Sequence, residues 1–312
     1  LANSMGLSVA SVIGSALIGV PLAVLVSRVA FPGRRLVGAL LSLPAVLPPL
    51  VGVLAFLFLY GESGFISHLV QAALRLETPP WRLEGAPAIL LVHVSTMYVY
   101  FYLFVRAGLT GIDGSVYEAA ASLGAGPWRT FRRVTLPLLR THLAGASLLV
   151  LMTSLASFSA PYLFGGRFRV MTTQIMATKL NGDDRLAMVE TLSLTLLALA
   201  GLWLVRRADQ APAGRGGSKG TPPRPRPLAG SLGRVALPVA AWGAALVLIL
   251  PHLALLLVSF VPRGTWTSQA FPPVLAPGNY LTLFKDPVRL GPILNSSWMA
   301  VVATVGAVAL AV

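Results

Sequence analysis

The sequence predicts an all-helical integral membrane protein, a multi-span bundle of about seven membrane-crossing helices. Hydrophobic residues make up 55% of the 312 residues, charged residues only 11%, and the mean hydropathy is +0.77. An average soluble domain carries about 25% charged residues. The apolar residues also form long stretches, and a helix of about 20 apolar residues crosses about 30 Å of hydrocarbon. A disordered chain is therefore excluded and an ordinary soluble enzyme is disfavoured.

Seven apolar stretches have the length of a span, or nearly so. They are Met5–Ser27, Leu36–Tyr60, Gly85–Val105, Thr141–Leu163, Leu186–Val205, Val235–Phe260 and Ser297–Val312. The fifth stretch contains Glu190, an ionisable residue that in a membrane is a candidate for function. Because Glu190 lies only about one turn inside the span, we expect it to extend to the interface rather than coordinate a substrate.

The positive charges predict the orientation of these spans. Fifteen of the 24 Lys and Arg residues lie in the connections on one side, which include the loop 106–140 and the segment 206–234. Cytoplasmic loops carry the excess of Lys and Arg. These two segments are therefore predicted to be cytoplasmic, with residue 1 outside. The net charge of +14 is then a topology signal that favours membrane lipid, and not nucleic acid, as a partner.

The sequence also predicts a duplication joined by a linker. Residues 206–234 are basic and rich in Pro and Gly, a composition that cannot bury a core. Asn3–Ser4 and Asn295–Ser296 each stand at the start of a span that runs inward. We therefore expect a first half over 1–205 that lacks its initial span, a cytoplasmic linker over 206–234, and a truncated second half over 235–312.

The cytoplasmic loop 113–137 predicts two short helices separated by a break. Ser115 and Glu118 have the spacing of a capping box at a helix start. Gly124, followed by Gly126, is expected to end this helix. Pro127 suits the first turn of the second helix, and Leu136–Pro137 is expected to open the next membrane helix.

The spacing in this loop resembles the EAA loop of binding-protein-dependent ABC transporter permeases. That pattern is Glu-Ala-Ala, three residues, Gly, nine residues, an aliphatic residue, one residue, and Leu-Pro. The matching residues here are Glu118, Ala119, Ala120, Gly124, Val134, Leu136 and Pro137. The resemblance implies a type I ABC importer permease fold in the cytoplasmic (inner) membrane of a bacterium or archaeon. It also implies two kinds of partner, an ATP-binding subunit that acts as a dimer and an extracytoplasmic substrate-binding protein.

In that family the loop forms a coupling helix that seats in a groove of the ATP-hydrolysing subunit. The resemblance implies that Glu118 offers its carboxylate to that subunit, that Ala119 and Ala120 allow close approach, and that Gly124 permits the bend. The alternative for Glu118 is that it only caps its own helix. The nearby arginines are expected to be solvated, topology-setting charges, with direct docking as the alternative; they are Arg129, Arg132 and Arg133.

Two sets of residues within the spans are candidates for a gate or a transport pathway. The second span is interrupted by Pro44, Pro48 and Pro49. Prolines kink helices, and the kink is a candidate gate. One face of the fourth span carries Ser147, Ser154 and Ser157. Small polar residues of this kind pack helices closely or line a polar path, and the sequence leaves both roles open.

No catalytic, cofactor or metal site is predicted. The chain has no Cys, and its histidines lack metal-ligand spacing, so hydrogen-bonded or interfacial roles are expected for His93, His142 and His252. The three tyrosines Tyr98, Tyr100 and Tyr102 are expected to pack or to lie at the interface. The sequence contains no phosphate-binding loop, so ATP hydrolysis is expected on a partner chain.

The transported substrate is predicted from the resemblance alone. Fused two-half permeases resemble the ferric iron group most, which implies iron(III), with thiamine and aminoalkylphosphonate as alternatives. We expect the second coupling loop to lie beyond Val312, so residues 1–312 alone are not expected to transport. Two other classes stay open: a secondary transporter or channel without an ATPase partner, and a membrane scaffold. A co-purifying ATPase would separate these classes.

Overall fold

The computed structural model describes residues 1–46, 48–209, 225, 231–266 and 271–311, and within these ranges it contains helices and no β-strand. The helices are α1 (Ala2–Arg28), α2 (Arg34–Leu40), α3 (Pro49–Tyr60), α4 (Phe65–Leu74), α5 (Gly85–Thr110), α6 (Gly114–Ser122), α7 (Pro127–Thr130), α8 (Leu136–Leu138), α9 (Arg140–Leu155), α10 (Ser159–Phe164), α11 (Met171–Leu180), α12 (Asp184–Asp209), α13 (Ser231–Ser259), α14 (Gly278–Lys285) and α15 (Pro287–Ala311).

The number of spans agrees with the prediction. Within the described residues, 6 helical segments are long and apolar enough to cross a membrane. A seventh arises if Pro127–Leu138 and Arg140–Leu155, which are bent by 69° relative to each other, form one span. The all-helical multi-span fold class is therefore confirmed.

The second predicted span has the wrong bounds. The stretch Leu36–Tyr60 is not one helix: α2 ends at Leu40, a 3₁₀ turn covers Leu43–Ala45, and α3 begins at Pro49. The segment of membrane length is Pro49–Leu74, which joins α3 and α4. The cause is the cluster of prolines, because each removes a backbone N–H and disfavours helical geometry in the residue before it.

The fourth predicted span, Thr141–Leu163, is also too long. Helix α9 ends at Leu155, and after a break of three residues α10 begins at Ser159. Pro161 explains the break, since a proline ring is tolerated in the first turn of a helix but clashes with the preceding turn in a helix interior. Ser157 therefore lies in the break between two helices.

The chain divides into two compact units. The first contains residues 1–57 and 82–251, and the second contains residues 58–81 and 252–312. The first 21 residues of α13 thus belong to the first unit, so the compact units do not follow the predicted boundary at the linker. Residues 210–224 and 226–230 of the predicted linker lie outside the described residues, and the duplication stays a prediction.

The core of the first unit lies between α1, α2, α5 and the first part of α13. Helices α1 and α5 approach closely at Gly19, where a Cβ atom would clash with the carbonyl oxygen of Tyr98. Tyr98 Oη donates to the Leu41 carbonyl at 2.9 Å, and Tyr102 Oη donates to the Gly38 carbonyl at 3.1 Å. These buried tyrosines satisfy carbonyls at the end of α2 that have no partner within the helix.

In the second unit, the contacts lie around α14. Asn279 Nδ2 donates to the carbonyl oxygens of Ser259 and Val261 at 3.0 and 2.8 Å. Tyr280 Oη and Ser259 Oγ are 2.6 Å apart. These bonds fasten the start of α14 to the end of α13. On α15, every residue from 292 to 310 is exposed.

Candidate functional site

Helix α6 begins with a side-chain cap, but the capping residue is not the one predicted. Asp113 adopts an extended backbone conformation, and its Oδ1 accepts the Ser115 N–H at 3.0 Å. The predicted capping box of Ser115 and Glu118 is therefore wrong. The helix begins at Gly114, which places Ser115 inside the first turn, where its N–H needs a partner and its hydroxyl cannot act as the cap.

Helix α6 ends at Ser122, and Gly124 terminates it, as predicted. The backbone of Gly124 is left-handed, with φ of 69°. The Ala125 N–H bonds to the Ala120 carbonyl at 3.0 Å, and the Gly124 N–H bonds to the Ala121 carbonyl at 2.9 Å. This pair of bonds is the Schellman motif, which closes a helix where the chain turns left-handed. No atom lies within 4 Å of where a Cβ would sit, so glycine is needed here for its backbone conformation.

The second short helix, α7, begins at Pro127 as predicted, but the membrane helix opens later than predicted. A π-helical turn covers Phe131–Thr135, where the Leu136 N–H bonds to the Phe131 carbonyl. The 69° bend follows at Leu139, and α9 opens at Arg140 rather than at Leu136–Pro137. Pro137 has no N–H to give to the preceding turn, and a π turn is one way a helix accommodates that loss.

The two faces of α6 differ. Ala120 is 8% exposed and faces the bundle, where Tyr117 also packs against the core. Glu118 and Ala119 are exposed. The Glu118 carboxylate makes no hydrogen bond or ion pair with any residue that the structure describes. Of the two alanines predicted to allow close docking, Ala119 is on the open face, and Ala120 instead lets α6 approach its own bundle.

The loop after α6 carries two large, exposed apolar side chains that the sequence did not single out. Leu123 is 85% exposed and Trp128 is 71% exposed. Large apolar groups exposed on a short loop are candidates for an interaction surface. Their signal in the sequence is their size within a loop of Gly, Ala and Arg. The predicted loop arginines are also exposed (Arg129, Arg132 and Arg133), whereas Val134 is partly buried.

The serines predicted for the pathway belong to a buried polar network around His93. His93 is 1% exposed. Its Nδ1 lies 3.0 Å from Ser11 Oγ and 3.2 Å from Ser154 Oγ, and its Nε2 lies 2.9 Å from Ser157 Oγ. The network joins α1, α5, α9 and the break after α9. Ser147 lies about two turns from Ser154 along α9 and is outside it.

The remaining candidates from the sequence are the prolines before α3 and Glu190. Pro44 is buried, whereas Pro48 and Pro49 are exposed at the break before α3. Glu190 differs from the expectation that it extends to the interface, because its Oε2 is buried with no hydrogen-bond partner in the described part of the chain. In those same residues, no three His, Cys, Asp or Glu side chains lie close enough together to hold a metal ion.

The predicted repeat residues have a structural role at the start of α1. Asn3 Nδ2 donates to the Arg169 carbonyl at 3.0 Å, and Ser4 Oγ accepts the Met171 N–H at 2.9 Å. Met171 is the first residue of α11, so Ser4 satisfies an N–H that has no partner within that helix. The corresponding Asn295 and Ser296 are exposed on α15.

Comparison with known protein families identifies the chain. Residues 15–212, which contain α6 and all of the polar network except Ser11, match the family described as binding-protein-dependent transport system inner membrane component. The chain belongs to this family. The family of the resemblance drawn from the EAA pattern is therefore confirmed.

Three curated relatives extend the comparison. The probable ABC transporter permease protein y4fN of Sinorhizobium fredii is 29% identical over 96% of this chain and 53% of its own length. The thiamine transport system permease protein ThiP of Brucella suis is 31% identical over 70% of this chain and 40% of its own length. The putative ferric transport system permease protein FbpB 1 of Haemophilus influenzae is 29% identical over 69% and 35%. The chain thus spans about half the length of these relatives or less.

A solved structure supports the fold. The bacterial alginate ABC transporter, in complex with its alginate pentasaccharide-bound periplasmic protein, has a chain that superposes with a TM-score of 0.57 at 18% identity. The match covers 67% of this chain and 77% of that chain. At this identity the likeness indicates a shared permease fold and nothing about the substrate.

Proposed function

We propose that the chain is the transmembrane permease part of an ABC importer, which moves a substrate from a binding protein across the cytoplasmic membrane. The observation that carries this proposal is α6, a short helix closed at both ends that holds Glu118 and Ala119 on an open face at the EAA positions. A helix that is rigid and exposed on one face, and packed on its own bundle on the other, has the form of a lever between two subunits.

The mechanism that fits this geometry is alternating access driven by a separate pair of ATP-binding subunits. In the proposal the open face of α6 seats in a groove of one ATPase subunit, with Glu118, Leu123 and Trp128 in the contact. Nucleotide-driven movement of that subunit then shifts α6 as a rigid body, and packed helices pass such shifts on in discrete steps. The excess of Lys and Arg on this side supports a cytoplasmic position for the loop and an outside position for residue 1.

We further propose that residues 1–205 and 235–312 belong to two homologous halves joined by the linker 206–234. The support is the family match over one module, residues 15–212, together with a relative about twice as long as this chain. Transport would then need the coupling loops of both halves.

The substrate proposed is iron(III), with thiamine and aminoalkylphosphonate as alternatives. Relatives named for ferric and thiamine transport are 29% and 31% identical to this chain, so identity does not separate these two. The direct test measures which of the three ligands the cognate binding protein retains, and then whether the reconstituted permease takes up that ligand. Retention of thiamine alone would overturn the proposal of iron(III).

A transport pathway and a gate are also proposed, from the serines of α9 and the prolines before α3. Ser154 and Ser157 bond to His93 in a buried network, which favours a role in packing for this conformation. The break at Pro44, Pro48 and Pro49 supplies a point at which the chain can bend, and it is the better candidate for a gate.

The experiment that tests the class is purification of the full-length protein from its native membrane. Co-purification of an ATP-binding subunit, with uptake that requires ATP, is expected. A protein that transports without an ATPase would be a secondary transporter or channel, and this result would overturn the proposal.

A further inference from the structure

A ring-to-cation contact joins the last residue of α1 to α6. The guanidinium carbon Cζ of Arg28 lies 3.7 Å from the centroid of the Tyr117 ring. Arg28 Nη2 is buried and has no hydrogen-bond partner among the described residues. A desolvated cation over an aromatic face is attracted by the ring quadrupole, so the Tyr117 ring is the group that meets this buried part of the charge.

Tyr117 also contacts a third segment. Its Oη accepts a hydrogen bond from Thr135 Oγ1 at 3.3 Å, and Thr135 is buried in the π-helical turn that precedes the bend before α9. One side chain of α6 therefore touches both the end of α1 and the segment that leads into α9. Among the α6 residues described above, contacts with both of these segments are shown for Tyr117.

Two other arginine–aromatic pairs lie within the described residues. Arg106 lies over the Tyr102 ring at 5.2 Å, and Arg207 lies over the Trp203 ring at 5.1 Å. Each of these pairs lies within one helix, at a spacing of one turn. The contact of Arg207 with Trp203 lies within α12 and stabilises that helix locally. The Arg106 pair extends to α2, because Arg106 Nη1 donates to Tyr102 Oη, which donates in turn to the Gly38 carbonyl.

The far end of α1 is fastened as well. Asn3 and Ser4 bond to the backbone at Arg169 and Met171, and Ser11 bonds to His93. Helix α1 has 27 residues, so it spans about 40 Å. A single helix thus runs from the contact with α6 to the segment that begins α11.

We propose that Arg28 and Tyr117 form the joint through which movement of α6 reaches α1, and through α1 the opposite end of the bundle. They are positioning residues, because they act through the helices they connect and need not touch the substrate. This inference rests on the proposed importer function. It adds a route by which the docked loop acts on the membrane helices.

The test compares coupling ratios, the substrate moved per ATP hydrolysed, in the full-length permease reconstituted with its ATPase subunits and binding protein. The probe is whichever of radioactive iron(III), thiamine or 2-aminoethylphosphonate the wild type takes up. Arg28→Met and Tyr117→Leu should each lower the ratio at least tenfold while ATP hydrolysis continues. Tyr117→Phe keeps the ring and should stay within about threefold of wild type.

The matched control is Arg207→Met, which removes an arginine–aromatic pair within α12 and should leave the ratio unchanged. The double variant of Arg28 and Tyr117 should be no worse than Tyr117→Leu alone, because Tyr117→Leu already removes the contact that Arg28→Met removes. Ratios equal to that of Arg207→Met, or losses that add in the double variant, would overturn the joint. Failure of the single variants to accumulate would assign the pair a purely structural role and would also overturn it. A wild type with no ATP-dependent uptake would instead contradict the importer function itself.

Discussion

His93 Nε2 and Ser157 Oγ lie 2.9 Å apart, and this contact joins the middle of the bundle to the break between α9 and α10. The other ring nitrogen of His93 contacts Ser11 and Ser154. One imidazole therefore has partners on three other segments. Without the imidazole, Ser157 Oγ would lose this partner, whereas Ser11 Oγ would still donate to the Leu7 carbonyl and Ser154 Oγ to Ser11 Oγ.

Replacing His93 with Leu should destabilise the bundle by about 1–3 kcal/mol, the usual cost of leaving buried polar groups unpaired. The measurement is the midpoint of unfolding by SDS in mixed micelles. His142→Leu is the control, since His142 Nδ1 already lacks a hydrogen-bond partner among the described residues. Equal losses for the two variants would show that the network contributes nothing beyond the packing of an imidazole ring.

Asp113→Ala should loosen the start of α6 at a cost of about 0.5–2 kcal/mol, because it removes the cap on the Ser115 N–H. Faster amide hydrogen exchange at Ser115 and Val116 would report this change. Ser115→Ala should leave exchange at those positions nearly unaltered, since its hydroxyl is not the cap. The reverse order of effects would restore the capping box that the sequence predicts.

Gly124→Ala should weaken the end of α6 by about 1–2 kcal/mol, because a left-handed backbone is costly for a residue with a Cβ. Gly126→Ala provides the matched control, since its φ is −67° and no atom lies within 4 Å of the added Cβ. The fraction of full-length protein bound by the ATPase subunit should fall for Gly124→Ala and not for Gly126→Ala. Equal binding by both variants would contradict the role given to Gly124.

The features that could be predicted from the sequence are those that depend on local composition. Apolar length located the spans, and glycine at position 124 located the end of α6, because both signals lie within one segment. The breaks inside the second and fourth spans were placed incorrectly or missed, since several prolines compete and only tertiary packing decides where the helix stops. The sequence predicts Ser115 instead of Asp113 as the cap of α6, because Ser and Asp both cap helices well.

The parts of the site that could not be predicted from the sequence are long-range contacts. Ser11, His93 and Ser154 come from three separate helices, and their spacing in the sequence carries no periodic signal. The contact of Arg28 with Tyr117 is of the same kind. Ala120 was assigned to the open face with Ala119, and only the packing of α6 on the bundle separates the two.

Glu118 is proposed to act by docking to an ATPase subunit, and the Glu118→Gln variant of the full-length permease separates this role from helix capping. Gln keeps the size of the side chain and removes the charge. ATP-driven uptake in proteoliposomes is measured beside the amount of protein inserted, with Glu118→Ala alongside. We predict normal insertion of both variants, at least a tenfold loss of uptake, and weaker binding of the ATPase subunit. Normal uptake by Glu118→Gln, with Glu118→Ala lowering only the amount of protein, would show that Glu118 does not dock through its charge.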